Sequence, residues 1–358
     1  MIKIYRTFTN ELKEAWLELE QSSFMTPFQS YNWLLNWYQT AGAKYSLFIV
    51  CVVFDDRVEA ILPLGIDTAR KVKTLEWLGG SHNDYMSPIF HLNSKKMFKD
   101  INSIWREVIF ALPKFDLLYL AKQVPKLGNK DNPFLNIYPS NISMNSYQIT
   151  IGSEWKVLKD SISKKVLADS RRQRKRLSNL GNLRFNVIHS NENNHAFLQT
   201  MFAFKQERYE QMGVNNFLKL KENRDFYQNL PQSISSTARI HCSTLTLNDE
   251  VIALHWGLID KGTFYYLMPA HNSSKWAKFS PGKLLLEDLL QWSIENKLSL
   301  FDFTGGEEAY KKIWSNNSIS LHEIIHPLTA RGYAYLFLLD LGRPVKKFIL
   351  RIVKNFYQ

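Results

Sequence analysis

Two parts of this chain repeat the same order of predicted strands and helices, and this repeat restricts its fold more than any other feature. Each copy predicts a hairpin, a third strand, a loop, a helix and a final strand. The first copy has these elements at Phe48 to Phe54, Val58 to Ile66, Thr74 to Leu78, Lys95 to Leu112 and Asp116 to Leu120. The second copy has them at Thr244 to Leu247, Val251 to Asp260, Thr263 to Met268, Pro281 to Asn296 and Ser299 to Phe303. The order predicts two similar domains that contain both strands and helices.

The hairpins of the two copies also share residues. A shift of 193 positions pairs Asp56 with Asp249, Val58 with Val251, Ala60 with Ala253 and Asp67 with Asp260. Chance also explains four identities in a short hairpin, so the interpretation as a duplication depends on the matched order of elements. We place the boundary near residue 155, which gives domains over 1–155 and 156–330 and a C-terminal segment over 331–358.

Composition limits the class of protein and the kind of partner. The 358 residues carry a net charge of +12, which favours a phosphate-rich cofactor, a nucleic acid or an anionic membrane surface. Cys51 and Cys242 are too few for a disulfide framework or a thiolate metal site, and the histidines form no metal-ligand pattern. We therefore expect no bound metal. No signal peptide or membrane span is evident, so we expect a cytoplasmic protein.

A predicted helix between the two halves, Ser161 to Leu180, is strongly basic. Its inner face is predicted from Ile162, Val166, Leu177 and Leu180, and Gly181 is expected to end it. Its cations are Lys164, Lys165, Arg171, Arg172, Arg174, Lys175 and Arg176. Such a helix fits nucleic-acid phosphates, but a run of charge is also typical of a solvated helix face.

The sequence Ser280-Pro281-Gly282-Lys283 predicts the start of a helix that could bind an anion. Serine is a preferred N-cap and proline suits the first helical position. Glycine has no Cβ, so a phosphate can approach the free amides, and Lys283 and Lys278 would add positive charge. A well-capped helix with solvated lysines explains the same residues.

A second candidate site comes after the final strand of the second copy. Asp302 lies between two phenylalanines and precedes Thr304-Gly305-Gly306, at the kind of strand end where catalytic groups gather. Since an unpaired buried charge is costly, its carboxylate must face a cleft or a partner. It could instead cap the following turn or pair with Lys311.

The motifs together resemble a known family. The pattern S-P-G, followed by D-F-x-G-G-x-x-x-Y-K-x-x-W, is similar to the CelD-type acetyltransferases of cellulose biosynthesis, which belong to the GNAT superfamily and are relatives of the FemAB peptidyltransferases. Here it reads Ser280-Pro281-Gly282, Asp302-Phe303-Thr304-Gly305-Gly306, Tyr310-Lys311 and Trp314. Pro27-Phe28-Gln29-Ser30 with Trp33, and Gly79 with Asp84-Tyr85, resemble two further family motifs.

The resemblance implies an α/β (α+β) fold of two tandem GNAT-like domains, each with a mixed, largely antiparallel sheet flanked by helices. It implies an acyl-CoA donor, such as acetyl-CoA, in the second domain and no donor in the first. The residues expected to bind the donor are Tyr266, Leu267, Met268, Lys278, Ser280, Pro281, Gly282 and Lys283. The residues expected to bind the acceptor are Asp84, Tyr85, Arg172 and Arg208. The usual Q/R-x-x-G-x-G/A phosphate loop is absent, and some FemAB relatives use aminoacyl-tRNA, so both donors stay open.

Acyl transfer to an amine needs a base, because the amine is protonated at neutral pH. We expect Asp302 or His255 to act as that base and Tyr310, next to Lys311, to protonate the departing thiolate. A lone histidine on a strand is also a common core residue, and Tyr310 could simply pack in the core.

The expected function is therefore N- or O-acyl transfer, of an acetyl group in the first place, to an amine or hydroxyl of a cell-surface sugar or peptide, as in polysaccharide biosynthesis. One alternative is a FemAB-like transferase that uses aminoacyl-tRNA. Another is a non-catalytic RNA- or membrane-binding module. The basic amphipathic tail over 331–358, with its clearest pattern from Val345 to Lys354, fits either an anionic membrane or packing onto the second domain.

Overall fold

The computed structural model describes residues 1–91, 93–152, 154–188 and 194–339. The strands of the N-terminal half are β1 Ile2–Tyr5, β2 Tyr45–Phe54, β3 Arg57–Asp67, β4 Thr74–Trp77, β5 Ile89–Phe90, β6 Leu117–Gln123, β7 Lys126–Leu127, β8 Lys130–Asp131 and β9 Ser140–Thr150. Its helices are α1 Asn10–Ser22, α2 Tyr31–Gln39, α3 Lys95–Lys99 and α4 Ile101–Ala111.

The C-terminal half contains the remaining elements. Its helices are α5 Trp155–Ser161, α6 Lys164–Ser178, α7 Asn194–Met212, α8 Lys221–Asn229, α9 Pro281–Glu295 and α10 Ala309–Trp314. Its strands are β10 Leu183–Ile188, β11 Arg239–Leu247, β12 Glu250–Asp260, β13 Thr263–His271, β14 Leu300–Gly305 and β15 Asn317–Pro327. Residues 330–339 are also helical. From residue 340 onward, the predicted basic C-terminal helix lies outside the described residues.

Thirteen strands of the described residues form one mixed sheet that runs through both halves. Its order is β1-β2-β3-β4-β6-β15-β9-β14-β13-β12-β11-β10, and β5 pairs with β3. The two halves exchange strands at the centre of this sheet, since β15 pairs with β6 and β9 pairs with β14. The mixed α/β architecture predicted from the repeat is confirmed, and the exchange of strands was not foreseen.

The predicted repeat is visible in the backbone of the two hairpins. Asp55 and Asp56 have positive φ values of 49° and 58°, and Asn248 and Asp249 have 49° and 67°. Both hairpins therefore turn through two left-handed residues, the conformation that suits the twist of paired strands. Each hairpin also has a bulge just before its turn, between Val52 and Val53 in β2 and at the equivalent place in β11.

The third and fourth strands of each copy repeat as well. β4 runs parallel to β6, and β13 runs parallel to β14. A parallel pair requires a crossover, which α3 and α4 supply in the first half and α9 supplies in the second.

Several predicted helix limits need correction. The helix expected from Lys95 to Leu112 is two helices, which meet at Asp100. The basic helix begins at Lys164, after a break that leaves Ile162 outside it, and Leu180 is exposed rather than on its inner face. The long helix α7 was missed because its apolar residues do not recur on one face.

The packing of α9 positions the candidate site. Its face of Leu284, Leu285, Leu289 and Leu290 is fully buried against β12 and β13. Burial of each leucine stabilises the fold by about 1.5–3 kcal/mol, so this contact holds the beginning of α9 beside the end of β13. The basic helix α6 packs against α9 and the short turn before it. Within the described ranges, none of the helices is both long and apolar enough to span a bilayer.

Candidate functional site

An opening in the sheet lies between β13 and β14. Pairing of these parallel strands covers only Thr263 to Tyr265 on β13 and ends opposite Asp302. Beyond this point the strands separate, so the backbone groups of Tyr266 to Met268 on the β14 side do not pair with that strand. Such groups need a hydrogen-bond partner. The sequence predicts that the donor binds along Tyr266 to Met268, and the opening lies beside these residues.

The beginning of α9 borders this opening. Ser280 has a left-handed backbone, with φ 53° and ψ 49°, and its side chain makes no cap hydrogen bond, in contrast to its predicted N-cap role. Pro281 has no N–H, and the amides of Lys283 and Leu284 donate to the Ser280 carbonyl at 3.0 and 3.3 Å. Among the described residues the amide of Gly282 has no acceptor, so it is the donor left for an anion.

Glycine at position 282 keeps this approach open. A Cβ there would lie 3.1 Å from Nδ1 of His271, which is at the end of β13. The beginning of α9 and the end of β13 are therefore in close contact, and the space between them is suited to a thin, extended group. These residues fit the diphosphate of a CoA-type donor, with one amide and the positive end of the helix dipole facing it.

Lys283 and Arg172 are less available for phosphate than the sequence suggested. The amine of Lys283 and the guanidinium of Arg172 both bind the carboxylate of Asp169. The bond from Lys283 is the main cause that lowers the pKa of Asp169. Lys278 is exposed, with its amine 5.3 Å from the ring centre of Phe279.

Helix α7 contributes two cations that face the same region. Lys205 and Arg208 form no ion pair among the described residues, and both lower the pKa of His271, although burial lowers it most. Burial also lowers the pKa of Lys205 to about 8, while the nearby Glu308 opposes this shift. Arg208 was predicted as a substrate-binding residue. Lys205 was missed, because nothing in the sequence of α7 indicates which of its faces meets β13.

Asp302 lies at the opposite side of the opening, and four donors surround its buried carboxylate. They are the Tyr85 hydroxyl at 2.8 Å, the Gln148 amide at 2.9 Å, the Thr304 backbone N–H at 2.7 Å and the Ser146 hydroxyl at 3.3 Å. Burial raises the pKa of Asp302 to about 6, although these bonds oppose the shift. The carboxylate caps its own turn, which was one of the sequence alternatives, and it does not pair with Lys311.

Tyr85 joins the two halves of the protein at this point. It lies on the loop after β4, is buried, and its hydroxyl also contacts that of Ser146 on β9. The two predicted residues Tyr85 and Asp302 are thus in direct contact, although 217 positions separate them in the sequence.

Asp84 differs from its neighbour. Its side chain is half-buried, and its carboxylate makes no hydrogen bond or ion pair among the described residues. Its charge acts on several groups around the opening, since it raises the pKa of Asp302, Tyr310 and Lys122 as a secondary cause in each case. Asp84 is therefore a carboxylate close to the opening that no cation or donor of the described ranges binds.

Tyr310 and Lys311 have different surroundings although they are adjacent. The ring of Tyr310 is partly exposed and packs against Tyr266, and burial, followed by the charge of Glu308, raises its pKa. The amine of Lys311 is buried, donates to the Gly305 carbonyl at 2.6 Å and pairs with Glu308 at 3.2 Å. Lys311 therefore holds the Gly-Gly turn in place, and its predicted catalytic role stays a prediction.

His255 lies in the core. Its ring is fully buried and stacks on Tyr266 at 4.5 Å between ring centres, and burial lowers its pKa well below the ordinary value. Because the ring has no contact with solvent, a substrate proton cannot reach it in this conformation. The prediction of His255 as a base is therefore corrected to that of a core residue.

The turn after Asp302 stores backbone strain. Thr304 is β-branched and has φ 59°, which is a rare conformation for such a residue. It lies within a bulge where the pairing of β14 with β9 shifts between Asp302 and Gly305. Strain of this kind costs on the order of 1–3 kcal/mol and is concentrated at functional sites.

No group of His, Cys, Asp and Glu side chains in the described part of the chain is arranged to hold a metal ion. Residues 164–312 match the family described as an acetyltransferase (GNAT) domain. This segment runs from α6 to α10 and includes the opening, the beginning of α9 and Asp302. No curated protein matches the chain.

Solved structures share the overall fold at low sequence identity. The structure of FemX has 12% identity and a TM-score of 0.64, and the match covers 94% of this chain and 99% of FemX. A tandem GNAT protein from the clavulanic acid biosynthesis pathway has 11% identity and a TM-score of 0.51, with 91% and 98% covered. L-PGS from Bacillus licheniformis has 12% identity and a TM-score of 0.51, with 88% and 91% covered. The chain therefore has a mixed α/β fold like that of FemX and of a tandem GNAT protein, and its residues 164–312 match the model of the GNAT acetyltransferase domain.

Proposed function

We propose that this protein is an N- or O-acyltransferase that takes its acyl group from acyl-CoA, with acetyl-CoA as the first candidate. One observation carries the proposal: three features that lack partners among the described residues border one opening. They are the amide of Gly282, the separated strand from Tyr266 to Met268, and the cations Lys205 and Arg208, which lie near His271 at the end of β13. The amide and the cations would bind the diphosphate. The strand would bind the pantetheine chain through its unpaired backbone groups.

The chain's own side chains support acyl transfer in three ways. Asp84 has a free carboxylate close to the opening and would accept the proton of the acceptor amine or hydroxyl. Tyr310 keeps its proton at neutral pH and would donate it to the departing thiolate. Asp302 would act as a positioning residue, since it accepts the hydrogen bond of Tyr85 and so fixes the loop that carries Asp84. The oriented backbone of β13 would stabilise the oxyanion.

The acceptor proposed here is a cell-surface sugar or a peptide amine. The CelD-type motifs around Ser280 and Asp302 support a sugar, as in polysaccharide biosynthesis. Placing the two substrates side by side accounts for much of such catalysis, about 7–11 kcal/mol.

Calorimetric titration with acetyl-CoA tests the donor. We expect saturable binding by the wild type, and a loss of about 100-fold or more in Gly282→Leu, because the larger side chain fills the space beside His271. Gly152→Leu is the matched control, since a Cβ at Gly152 would meet no atom within 4 Å. Equal affinity of the wild type and both variants would remove the beginning of α9 from the donor site.

An aminoacyl-tRNA donor is the second candidate, and the basic helix α6 favours it. Arg171 and Lys175 are exposed on α6, which packs beside the beginning of α9, and neither forms an ion pair among the described residues. Cations in this position could bind the phosphates of an RNA. FemX and L-PGS share the fold.

The two donors predict different responses to salt. Binding of tRNA should weaken steeply as salt is increased, and Arg171→Ala with Lys175→Ala should reduce the slope by about 2. Binding of acetyl-CoA should be changed little by this double substitution. Titration of charged tRNA and acetyl-CoA at several salt concentrations distinguishes them.

A further inference from the structure

A second opening lies in the N-terminal half, between β4 and β6. It leads into a cavity of about 450 Å³, which is within the usual range of roughly 300–1,000 Å³ for small-molecule sites. The walls come from both halves of the protein: β4, β6 and the loop after β4 on one side, and Leu220 to Asn223 of the α8 region on the other. No predicted site residue lies in its wall.

Lys122 is the unusual residue of this cavity. It has φ 54°, a left-handed conformation that costs a non-glycine residue on the order of 1–2 kcal/mol. Its carbonyl accepts the Met86 amide at 2.9 Å, and its amine donates to the Asn83 carbonyl. Backbone strain at the end of a strand, in a residue that lines a cavity, points to a functional role for its side chain.

The charge of Lys122 has no ion-pair partner within the described residues. Burial lowers the pKa of this amine, and Asp84 opposes the shift from beyond ion-pair distance. The other cations of the cavity wall are already paired: Lys44 and Arg70 each lie 3.1 Å from Asp67. The Lys122 amine keeps two N–H donors that no acceptor among the described residues takes, so this cation can still bind a ligand.

The remaining walls of the cavity carry aromatic rings, uncharged groups and two carboxylates, those of Glu76 and Glu222. The Glu76 carboxylate accepts from the Tyr45 hydroxyl at 2.5 Å and lies 3.5 Å from Arg70, and Glu222 is exposed. Trp37, Tyr45 and Tyr119 supply ring surfaces.

His82 is buried, and its two ring nitrogens have no hydrogen-bond partner in the part of the chain that the structure describes. Burial lowers its pKa to about 4, so it is neutral at physiological pH. A neutral imidazole offers one donor and one acceptor, which suits the hydroxyl groups of a ligand. A buried polar group without a partner is costly, so a ligand that binds His82 would gain affinity.

We propose that this cavity binds a small ring-shaped monoanion, in which Lys122 pairs with a carboxylate and His82 bonds to the hydroxyl groups of the ring. A sugar acid has this chemistry. The cavity borders the loop that carries Asp84 and Tyr85, since Gly80 to His82 and Met86 line it. The role of the cavity as the acceptor site rests on the proposed acyl transfer. The binding of the monoanion to the cavity does not.

The test is calorimetric titration of the full chain with glucuronate, glucose and inorganic phosphate, without any acyl donor. We expect saturable binding of glucuronate, at least about tenfold tighter than that of glucose, and a loss of at least about tenfold in Lys122→Met. Lys297→Met is the matched control, because Lys297 is also left-handed, with φ 58°, but is exposed and outside the cavity.

Lys122→Gly separates folding from binding. Glycine adopts positive φ without strain, so this variant should keep or raise the melting temperature and still lose glucuronate affinity. Equal binding of glucose and glucuronate, unchanged affinity of Lys122→Met, equal binding of phosphate and glucuronate, or no saturable binding of glucuronate would each overturn the proposal. Because no donor is present, failure of the acetyl-CoA titration leaves this result unaffected.

Release of free CoA thiol from acetyl-CoA on addition of glucuronate tests the acceptor role alone. Thiol release that Lys122→Met abolishes would support that role. Glucuronate binding without thiol release would contradict the acceptor role and leave the binding site in place.

Discussion

Each half of the molecule contains an opening between two parallel strands, and the residues around the two openings differ. In each half a parallel strand pair separates after three residues, next to a left-handed residue near the end of the later strand, Lys122 in one half and Thr304 in the other. On the later strand of each pair, the last residue that pairs with the earlier strand is Tyr119 in the N-terminal half and Asp302 in the C-terminal half.

The segment after the third strand of each half accounts for the difference. In the N-terminal half the loop returns into the opening, and the Met86 amide bonds to β6. In the C-terminal half the chain leads to a helix that starts with Pro281 and Gly282 beside the open strand. The fold therefore supplies an opening twice, and the local sequence determines whether it admits an extended donor or a compact ring.

The largest expected effect comes from Asp302→Ala. This change removes the acceptor of the Gln148 amide and the Thr304 amide and leaves the Tyr85 hydroxyl with only the Ser146 hydroxyl, so the free energy of unfolding should fall by about 4 kcal/mol. Tyr119→Phe, at the equivalent position of the other half, keeps its ring and should cost about 1 kcal/mol. Urea unfolding measures both, and equal losses would show that the two openings are built alike.

The pH dependence of stability should also depend on Asp302. Burial raises its pKa from 3.8 to about 6, so the folded state binds this proton more tightly than the unfolded state. Its contribution is fully present below about pH 3.8 and is lost as pH rises through about 6, amounting to about 3 kcal/mol at most. Asp302→Asn should flatten the stability profile between these values, and an unchanged profile would contradict the shift.

Substitution of two neighbouring lysines that follow β14 should change the free energy of unfolding by different amounts. The side chain of Lys311 is 6% exposed and that of Lys312 is 53% exposed. Lys311→Met should lower the free energy of unfolding by about 2 kcal/mol, because the Gly305 carbonyl loses a charged donor. Lys312→Met should cost about 0.5 kcal/mol or less, as for an exposed ion pair. Similar losses in thermal unfolding would contradict the role of Lys311 in the turn.

The smallest expected effect is on the affinity for acetyl-CoA, and it distinguishes Lys205 from Lys283. Lys205→Met should weaken acetyl-CoA binding by about 1 kcal/mol, or roughly fivefold, because no carboxylate of the described residues forms an ion pair with its amine. Lys283→Met should change it by about twofold or less, since Asp169 already binds that amine. The reverse order in a calorimetric titration would show that Lys283 leaves Asp169 when the donor binds.

Much of the fold was predictable because it depends on local signals. The Asp55-Asp56 and Asn248-Asp249 turns, the alternating strands and the Ser280-Pro281-Gly282 helix start all act over a few residues. The exchange of β9 and β15 depends on contacts between distant segments, and no local pattern predicts it.

The candidate site was predictable only in part. Sequence motifs singled out Asp302, Tyr85 and Gly282, but not that Tyr85 binds Asp302, because this bond forms only when the halves meet. Lys205 and Lys122 were missed for a related reason. A single lysine in a helix or a strand has no sequence signal until the fold shows which face it occupies and whether a carboxylate is near.

Amide hydrogen exchange with and without acetyl-CoA tests most directly which of the two openings holds the donor. We predict slower exchange at Tyr266 to Met268 and at Gly282, in the C-terminal opening, and no change at Gly80 to His82 in the N-terminal one. Protection confined to the N-terminal opening, or equal protection of both, would contradict the assignment of the donor to the C-terminal half.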